Sequence, residues 1–543
     1  MNPAEVTART APLVRYLQAN ASAQAQIVLV EGSPAGLGWA SKDFWPGRNP
    51  GNVALRGEYE ALVRAGVPRL HYVRSEELYA RSALYGDGGD VTMAGVHPSD
   101  IGTRATAEFW MGYLPSILPA QRVKSDDTES VTTVELFRFG DGATPCVRIP
   151  SLLSIPGSGV VLALAECRQF VGDGCYPWAN NNATLHLPGW GASRFICSRR
   201  STDYGRSFGP LQHNITRMRS WNPSTLWDPR RKQVLLIFND ASSWLRHRPD
   251  GGGTPWLVRS SNQGLSWSAA KPLIIMGPRP HAASQGFDLG PGRALALRSG
   301  RIVVAGATSQ ALGKCSARPD GGICKQLTSF VLYSDSGGDT WRVSSAVIPE
   351  LEEPQLAEMW PRAGTSNESI VILNGRQNNS FPLGSPCGCR GQVYSRTGGL
   401  TWQSCAGADC PNSGNATSVD WLPSLPSPSV QSSIFRSPRS GRLVFAGPRS
   451  HDREARVNMT VTVSPSGASA ADLWGDGATH IPLRAQACAG YKANCAGYSC
   501  LATDEGVAAG QEGVLLLWET GVASGCSGAA CRIMLSRVRL PSN

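Results

Sequence analysis

Ser201-Thr202-Asp203-Tyr204-Gly205-Arg206-Ser207-Phe208 returns as Ser260-Ser261-Asn262-Gln263-Gly264-Leu265-Ser266-Trp267, as Ser334-Asp335-Ser336-Gly337-Gly338-Asp339-Thr340-Trp341, and as Ser395-Arg396-Thr397-Gly398-Gly399-Leu400-Thr401-Trp402. Four copies of Ser-x-(Asp/Asn/Ser/Thr)-x-Gly-x-(Ser/Thr)-(Trp/Phe) exceed chance, and internal repeats are read before any other fold argument. Each copy has the physics of a β-hairpin turn. A short polar side chain bonds back to the backbone, Gly supplies a positive φ, and the closing aromatic anchors the turn between sheets. The copies begin at residues 201, 260, 334 and 395, and a degenerate copy spans Ser464 to Trp474. This spacing fits one four-stranded blade plus insertions, and counting blades before the first copy and after the last gives about six. The expected fold is mainly β, a six-bladed β-propeller over residues 133–543, preceded by a partial α/β segment.

Composition agrees with many short strands joined by turns. The 543 residues include 60 Gly, 38 Pro and 16 Trp, and sustained helical periodicity is rare after about residue 125. The formal charge is +10, but Lys and Arg are scattered, with only short clusters such as Arg230-Arg231-Lys232. That distribution argues against nucleic acid as a partner and leaves a few arginines to face an acidic small ligand.

All 15 cysteines lie between Cys146 and Cys531. The close pairs Cys315/Cys324, Cys405/Cys410, Cys488/Cys495 and Cys526/Cys531 are spaced for short disulfide-closed loops, and no histidine pattern points to a metal. Sequons begin at Asn20, Asn182, Asn214, Asn367, Asn378, Asn415 and Asn458. Together they favour the secretory pathway, with an extracellular or lysosomal-type destination. No cleavable leader follows Met1, so a secreted chain needs its signal upstream of residue 1, and no run of about 18 apolar residues could span a bilayer.

Residues 1–122 differ in kind. The apolar run Ile27-Val28-Leu29-Val30, a helical stretch from Val53 to Gly66, the run Leu70-His71-Tyr72-Val73 and a last helix from about Thr103 to Leu118 read as α/β material. Polar residues around Lys124-Ser125-Asp126-Asp127-Thr128 make 123–132 the expected linker.

Within the β-rich part, Val147-Arg148-Ile149-Pro150-Ser151 sets an arginine beside an Ile-Pro pair at the head of a strand, with Glu166-Cys167-Arg168 and Asp173 following. Arginine offers paired donors in a fixed fork and cannot lose its charge, so it suits the capture of a carboxylate. An Asp close behind suits proton donation.

The repeated turns resemble the Asp boxes of sialidases, and Arg148-Ile149-Pro150 resembles that family's Arg-Ile-Pro motif. The resemblance covers about residues 130–543. It implies an arginine triad for the carboxylate of sialic acid, formed by Arg148, by Arg376 in Leu373-Asn374-Gly375-Arg376, and by Arg456 before Val457-Asn458-Met459. Glu519, in Leu517-Trp518-Glu519-Thr520, matches the glutamate that orients the first arginine. Asp173 matches the acid/base aspartate, with Glu166 and Arg168 as pocket walls. Tyr498 matches the nucleophile, and Glu358 the glutamate that takes its proton.

A tyrosine suits this chemistry because the anomeric carbon already bears a carboxylate, which a neutral phenol attacks without charge repulsion. A free phenol, with pKa about 10, needs a base. Asn262, Ser336 and Thr397 stand where Asp is usual, and Cys167 sets a sulfur beside the pocket.

The implied activity is that of an exo-α-sialidase, a glycoside hydrolase needing no metal or organic cofactor. Its substrates are sialylated glycoproteins, glycolipids or oligosaccharides, cleaved with retention through a tyrosyl-sugar intermediate. A trans-sialidase uses the same residues, and a non-catalytic sialoglycan-binding propeller keeps only the arginines.

Residues 1–122 resemble the C-terminal half of an SGNH (GDSL-type) esterase, whose catalytic histidine in an Asp-x-x-His-Pro motif is matched by His97. Ala94 replaces the Asp, and no Gly-Asp-Ser block is present to supply a serine for His97 to activate. The resemblance implies an inactive remnant of a sialic acid O-acetylesterase.

Overall fold

The computed structural model describes residues 2–20, 25–32, 49–75, 92–93, 97–98, 109–110, 113, 130–138, 146–168, 194–240, 255–277, 288–314, 323–344, 348–349, 351–360, 369–377, 387–404, 419–453, 455–468, 473–483, 496–520 and 532–542. The chain divides into two units, Met1–Arg122 and Val123–Asn543.

In the first unit, helices Pro3–Asn20 and Pro50–Arg64 accompany a parallel strand pair, Ile27–Val30 and Leu70–Val73. The second helix starts where Asn49 Oδ1 accepts from Gly51 N at 2.9 Å, with Pro50 in the first turn, where no N–H is needed. Helix Pro3–Asn20 has no counterpart in the sequence expectation. It buries only Thr10 and Val14, too few apolar positions to announce an amphipathic face. His97 opens a two-residue strand paired with Thr92–Met93. Its side chain lies outside the described residues, as does most of the helix expected from Thr103.

The second unit is a six-bladed β-propeller of antiparallel blades. Blade I comprises Cys146–Ser154, Val161–Arg168 and Arg194–Ser201. Blade II comprises Ser220–Asp228, Gln233–Asp240, Pro255–Ser260 and Lys271–Pro272. Blade III is built on Ile302–Lys314 and Ile323–Ser334, with Asp288–Leu289 on its inner side. Blade IV comprises Leu351–Met359, Ile370–Gln377, Cys389–Ser395 and Asp420–Pro426. Blade V comprises Ser433–Arg436, Leu443–Pro448, Met459–Val463 and Thr479–Pro482. Blade VI comprises Ser499–Thr503, Gly513–Thr520 and Arg532–Arg539, and its fourth strand is Val131–Arg138 from before blade I, which closes the ring. That strand begins at Val131, inside the stretch expected to be linker.

Blade strands such as Val161–Arg168 are buried along their whole length, because each blade is covered on both faces by its neighbours; their sequences are therefore apolar runs rather than alternations. Six hydrophobic clusters follow, one between each pair of adjacent blades. Phe208, Trp267, Trp341 and Trp402, which end the four repeats, each lie in the cluster shared with the preceding blade.

Each repeat is the turn after its blade's third strand. The first Ser accepts from the Gly N–H, as Ser201 Oγ does from Gly205 N at 2.9 Å. The third residue accepts from the seventh N–H at 2.9 Å in all four copies, through Asp203, Asn262, Ser336 or Thr397. Loss of Asp therefore keeps the bond and changes only the acceptor atom. Two consecutive residues have positive φ in every copy, from Tyr204 (63°) and Gly205 (78°) to Gly398 (64°) and Gly399 (85°), one more than the sequence pattern indicates. The degenerate copy is described only in part: Ser464 Oγ accepts from Leu443 N at 2.9 Å, and Trp474 is buried between blades IV and V.

An arginine of the preceding blade donates to the carbonyl just before each repeat's Gly. Arg537 Nη2 reaches Tyr204 O at 2.9 Å, Arg200 Nε reaches Gln263 O at 2.9 Å, Arg259 Nη1 reaches Gly337 O at 3.0 Å, and Arg301 Nη1 reaches Gly398 O at 3.3 Å. A charged donor on a neutral acceptor contributes about 1.5–3 kcal/mol. Replacing Arg200 by Met, which keeps the stem and loses the donor, is expected to destabilise the propeller by about 1–2 kcal/mol. The change should read as a lower urea midpoint at unchanged m value; an unchanged midpoint would refute the role of the clamp.

Candidate active site

Four consecutive blades begin with the same backbone device, a residue of positive φ followed by proline. Ile149 (57°), Asn222 (52°), Gly290 (76°) and Glu353 (42°) precede Pro150, Pro223, Pro291 and Pro354. A β-branched residue at positive φ is a sterically costly exception that surrounding structure must hold in place. At Ile149 and Glu353 the strand register shifts on either side, so each is a bulge that re-aims nearby side chains.

The first bulge is held by Glu519. This fully buried carboxylate accepts from Arg148 Nε and Nη2, each at 3.2 Å, from Ile149 N at 2.8 Å and from Tyr498 N at 3.1 Å. Glu166 occupies the equivalent place one blade on: Oε1 accepts from Asn222 N at 2.7 Å, and Oε2 from Arg168 Nη2 at 2.6 Å.

Tyr498 is buried, with the Arg148 guanidinium 5.0 Å over its ring and Ile149 and Val430 beside it. Its hydroxyl donates to Glu353 Oε1 at 2.5 Å and accepts from Arg376 Nη1 at 3.1 Å. Burial pushes the phenol above its ordinary pKa, Glu353 adds to this, and Arg376, Arg148 and Arg456 oppose it.

Arg376 is paired twice, with Glu352 through Nε at 3.0 Å and with Glu353 through Nη1 at 2.6 Å. Against the burial that would lower it, Glu352 and Glu353 hold its pKa well above the ordinary value. Arg456 donates from Nη2 to Ser429 O at 2.9 Å. Burial lowers its pKa, Tyr498 opposes the shift, and the Arg376 and Arg148 charges add to it. Glu519, Glu352 and Glu353 thus balance the guanidiniums of Arg148, Arg376 and Arg456 around one phenol. A fourth guanidinium, Arg390, is buried behind them, donating to Asn374 Oδ1 at 2.9 Å and Val430 O at 2.8 Å; burial pushes its pKa down to about 9.

The structure brings together Arg148, Arg376, Arg456, Glu519 and Tyr498, with Glu166 paired to Arg168 on the wall. Two expectations need correction. The glutamate on the Tyr498 hydroxyl is Glu353, and Glu358 lies five residues along the strand, about 16 Å at the rise of an extended chain. There Glu358 Oε2 accepts from Arg298 N at 2.9 Å, next to Trp360, which Arg436 covers at 3.9 Å. Cys167 does not line the pocket. It is disulfide-bonded to Cys197 in the core between blades VI and I, because alternation along the strand turns it away from Glu166 and Arg168. Asp173 and the four close cysteine pairs lie outside the described residues. Sequence reasoning missed Glu353, Asn222 and Arg390. For the first two, the recurring residue-before-proline at the head of each inner strand was the available signal.

The family profile for the BNR repeat-like domain matches residues 180–474. Human Sialidase-3 is 27% identical over 300 residues, covering 51% of this chain and 61% of that protein. Human Sialidase-4 is 29% identical over 277 residues, covering 47% of this chain and 49% of that protein. The chain therefore spans 61% and 49% of the length of these two curated relatives. Among solved structures, Hadza microbial sialidase Hz136 has a similar fold, with a TM-score of 0.51 at 19% identity over 75% of this chain and 68% of that one.

Removing one partner of a buried ion pair leaves the other charge uncompensated, at a cost of about 3–5 kcal/mol. Glu519→Gln is accordingly expected to lower unfolding free energy by about that amount, measured by urea denaturation. A loss below about 1 kcal/mol would mean that Glu519 does not anchor Arg148.

Proposed function

We propose that this chain, which belongs to the BNR repeat-like domain family, is an exo-α-sialidase that hydrolyses terminal sialic acids from glycoproteins, glycolipids or oligosaccharides with retention of configuration. The observation that carries the reading is the Tyr498 hydroxyl, which donates to Glu353 while Arg148, Arg376 and Arg456 surround it. The printed names of the relatives, Sialidase-3 and Sialidase-4, support it.

In this mechanism the sugar carboxylate lies against the three arginines, with Arg148 held by Glu519 and Arg376 by Glu352 and Glu353. Tyr498 Oη attacks the anomeric carbon, its proton passes to Glu353, and the bond to the leaving oxygen breaks as Asp173 protonates it. Asp173 then takes a proton from water, which displaces Tyr498 from the sugar, and Glu353 returns the proton to the phenol. A phenol kept neutral by burial needs its base in hydrogen-bond reach, and Glu353 stands at 2.5 Å. No step calls for a metal or organic cofactor.

The Cys167–Cys197 disulfide and the exposed sequon residues Asn20, Asn214 and Asn458 support a secretory, extracellular or lysosomal-type location. Among the described residues no helix is long and apolar enough to cross a membrane. Residues 1–122 are read as a non-catalytic SGNH-like segment.

The test is cleavage of a fluorogenic sialoside between pH 4 and 7, with the first product anomer read by NMR. Wild-type protein should release the α-anomer first. Tyr498→Phe should lower kcat by about 10³-fold or more, and Glu353→Gln by about 10²-fold or more, while Glu358→Gln stays within about threefold. An inactive wild type would overturn the reading, and transfer to added lactose instead of water would redirect it to a trans-sialidase.

A further inference from the structure

Residues 288–293 cross the middle of the propeller. Ser151 Oγ of blade I donates to Gly292 O at 2.6 Å, Ala294 N donates to Thr225 O of blade II at 3.1 Å, and Gln355 Nε2 of blade IV donates to Pro291 O. Gly292 has φ 118°, and a Cβ there would lie 2.6 Å from Gln355 Oε1, so only glycine lets the chain pass.

At the head of this segment stands Asp288. Its Oδ1 accepts from Asn222 Nδ2 at 2.7 Å and from Asn239 Nδ2 at 3.2 Å, while Oδ2 makes no hydrogen bond among the described residues. The residue as a whole is half-buried. Because Asn222 N also binds Glu166, the polar wall Arg168–Glu166–Asn222 continues to Asp288. In a ring of six blades, the junction of II and III that carries Asp288 faces blades V and VI, which carry Arg456 and Tyr498.

We propose that Asp288 is a further substrate-contacting residue, its Oδ2 meeting an oxygen, hydroxyl or acyl carbonyl, on the side of the sugar away from the arginine clamp. The proposal rests on the sialidase reading. With two amide donors on Oδ1, the proton of the acid belongs on Oδ2. Burial holds the Asp288 carboxyl well above the ordinary range; Glu353 and Glu352 from blade IV and Glu166 from blade I push it further, and Asn222 opposes them. A fixed donor in a pocket discriminates against sugars lacking the matching acceptor, whose binding leaves it unpaired.

The experiment is calorimetric titration of the full chain with free N-acetylneuraminic acid from pH 5 to 8. Asp288→Asn places an N–H where the O–H stood and should bind within about threefold of wild type at pH 5, whereas Asp288→Ala should bind about tenfold more weakly. As pH rises, wild-type affinity should fall relative to the Asn variant. Melting temperature supplies a second readout. A carboxyl whose folded-state pKa is raised binds more protons folded than unfolded, so wild-type stability falls with rising pH above the unfolded value. The Asn variant's advantage should widen over the same range. Ala binding as tightly as wild type, or Asn as weakly as Ala with normal melting, would overturn the proposal while leaving a cleaving wild type a sialidase. A wild type that neither binds nor cleaves would overturn the sialidase reading and this proposal together.

Discussion

The carboxylate of Glu519 holds four donors from two ends of the chain: two from Arg148, one from Ile149 and one from Tyr498. Burying an ion costs several kcal/mol, and the cost is offset only where its hydrogen-bonding capacity is filled. Here it is filled by the first strand of blade I and the first residues of blade VI. Ring closure and the orientation of the first arginine are therefore one interaction. A distortion that loosened the contact between blades VI and I would also unseat the guanidinium over Tyr498.

The site is a repeated scaffold device used with different side chains. In blades VI and I a glutamate at the end of the second strand accepts the N–H of the positive-φ residue in the next blade, through Glu519 to Ile149 and Glu166 to Asn222. In blade II the corresponding residue is Asn239, whose Oδ1 accepts from Leu289 N at 3.2 Å. The bulges at the blade heads cost backbone strain and bring a different side chain toward the axis in each blade. The opposite ends of the blades carry the hairpin turns and their arginine clamps, which keep the blades together and leave the axial ends free to vary.

This division explains what was legible in the sequence. The repeats encode local turns, so Ser, Gly and Trp at fixed offsets announced the blades and their approximate number. Arg148, Tyr498 and Glu519 could be read because each sits in a distinctive local string. Glu353 was harder to single out, because Glu352-Glu353-Pro354-Gln355-Leu356-Ala357-Glu358 offers three carboxylates, and the choice depends on a bulge that breaks simple alternation and that only the following proline signals. Cys167 was misread for the opposite reason: plain alternation does hold there and turns it into the core. Asn222 was marked only by the proline that follows it, Arg390 acts through long-range contacts that leave no local pattern, and helix Pro3–Asn20 buries too little to mark itself.

The strand Val131–Arg138 pairs along its length with Arg532–Arg539, and Arg539 N donates to Ser130 O at 2.9 Å. On a ribosome, the first of these strands emerges some four hundred residues before its partner. Until then blade VI lacks its third strand, and Phe137 has no closed core to enter. The nascent propeller thus carries an unpaired β edge through nearly all of its synthesis, a surface that other strands can capture. Its passage to the folded state waits for residues 532–539, and a holdase covering residues 131–138 would have that whole interval in which to act.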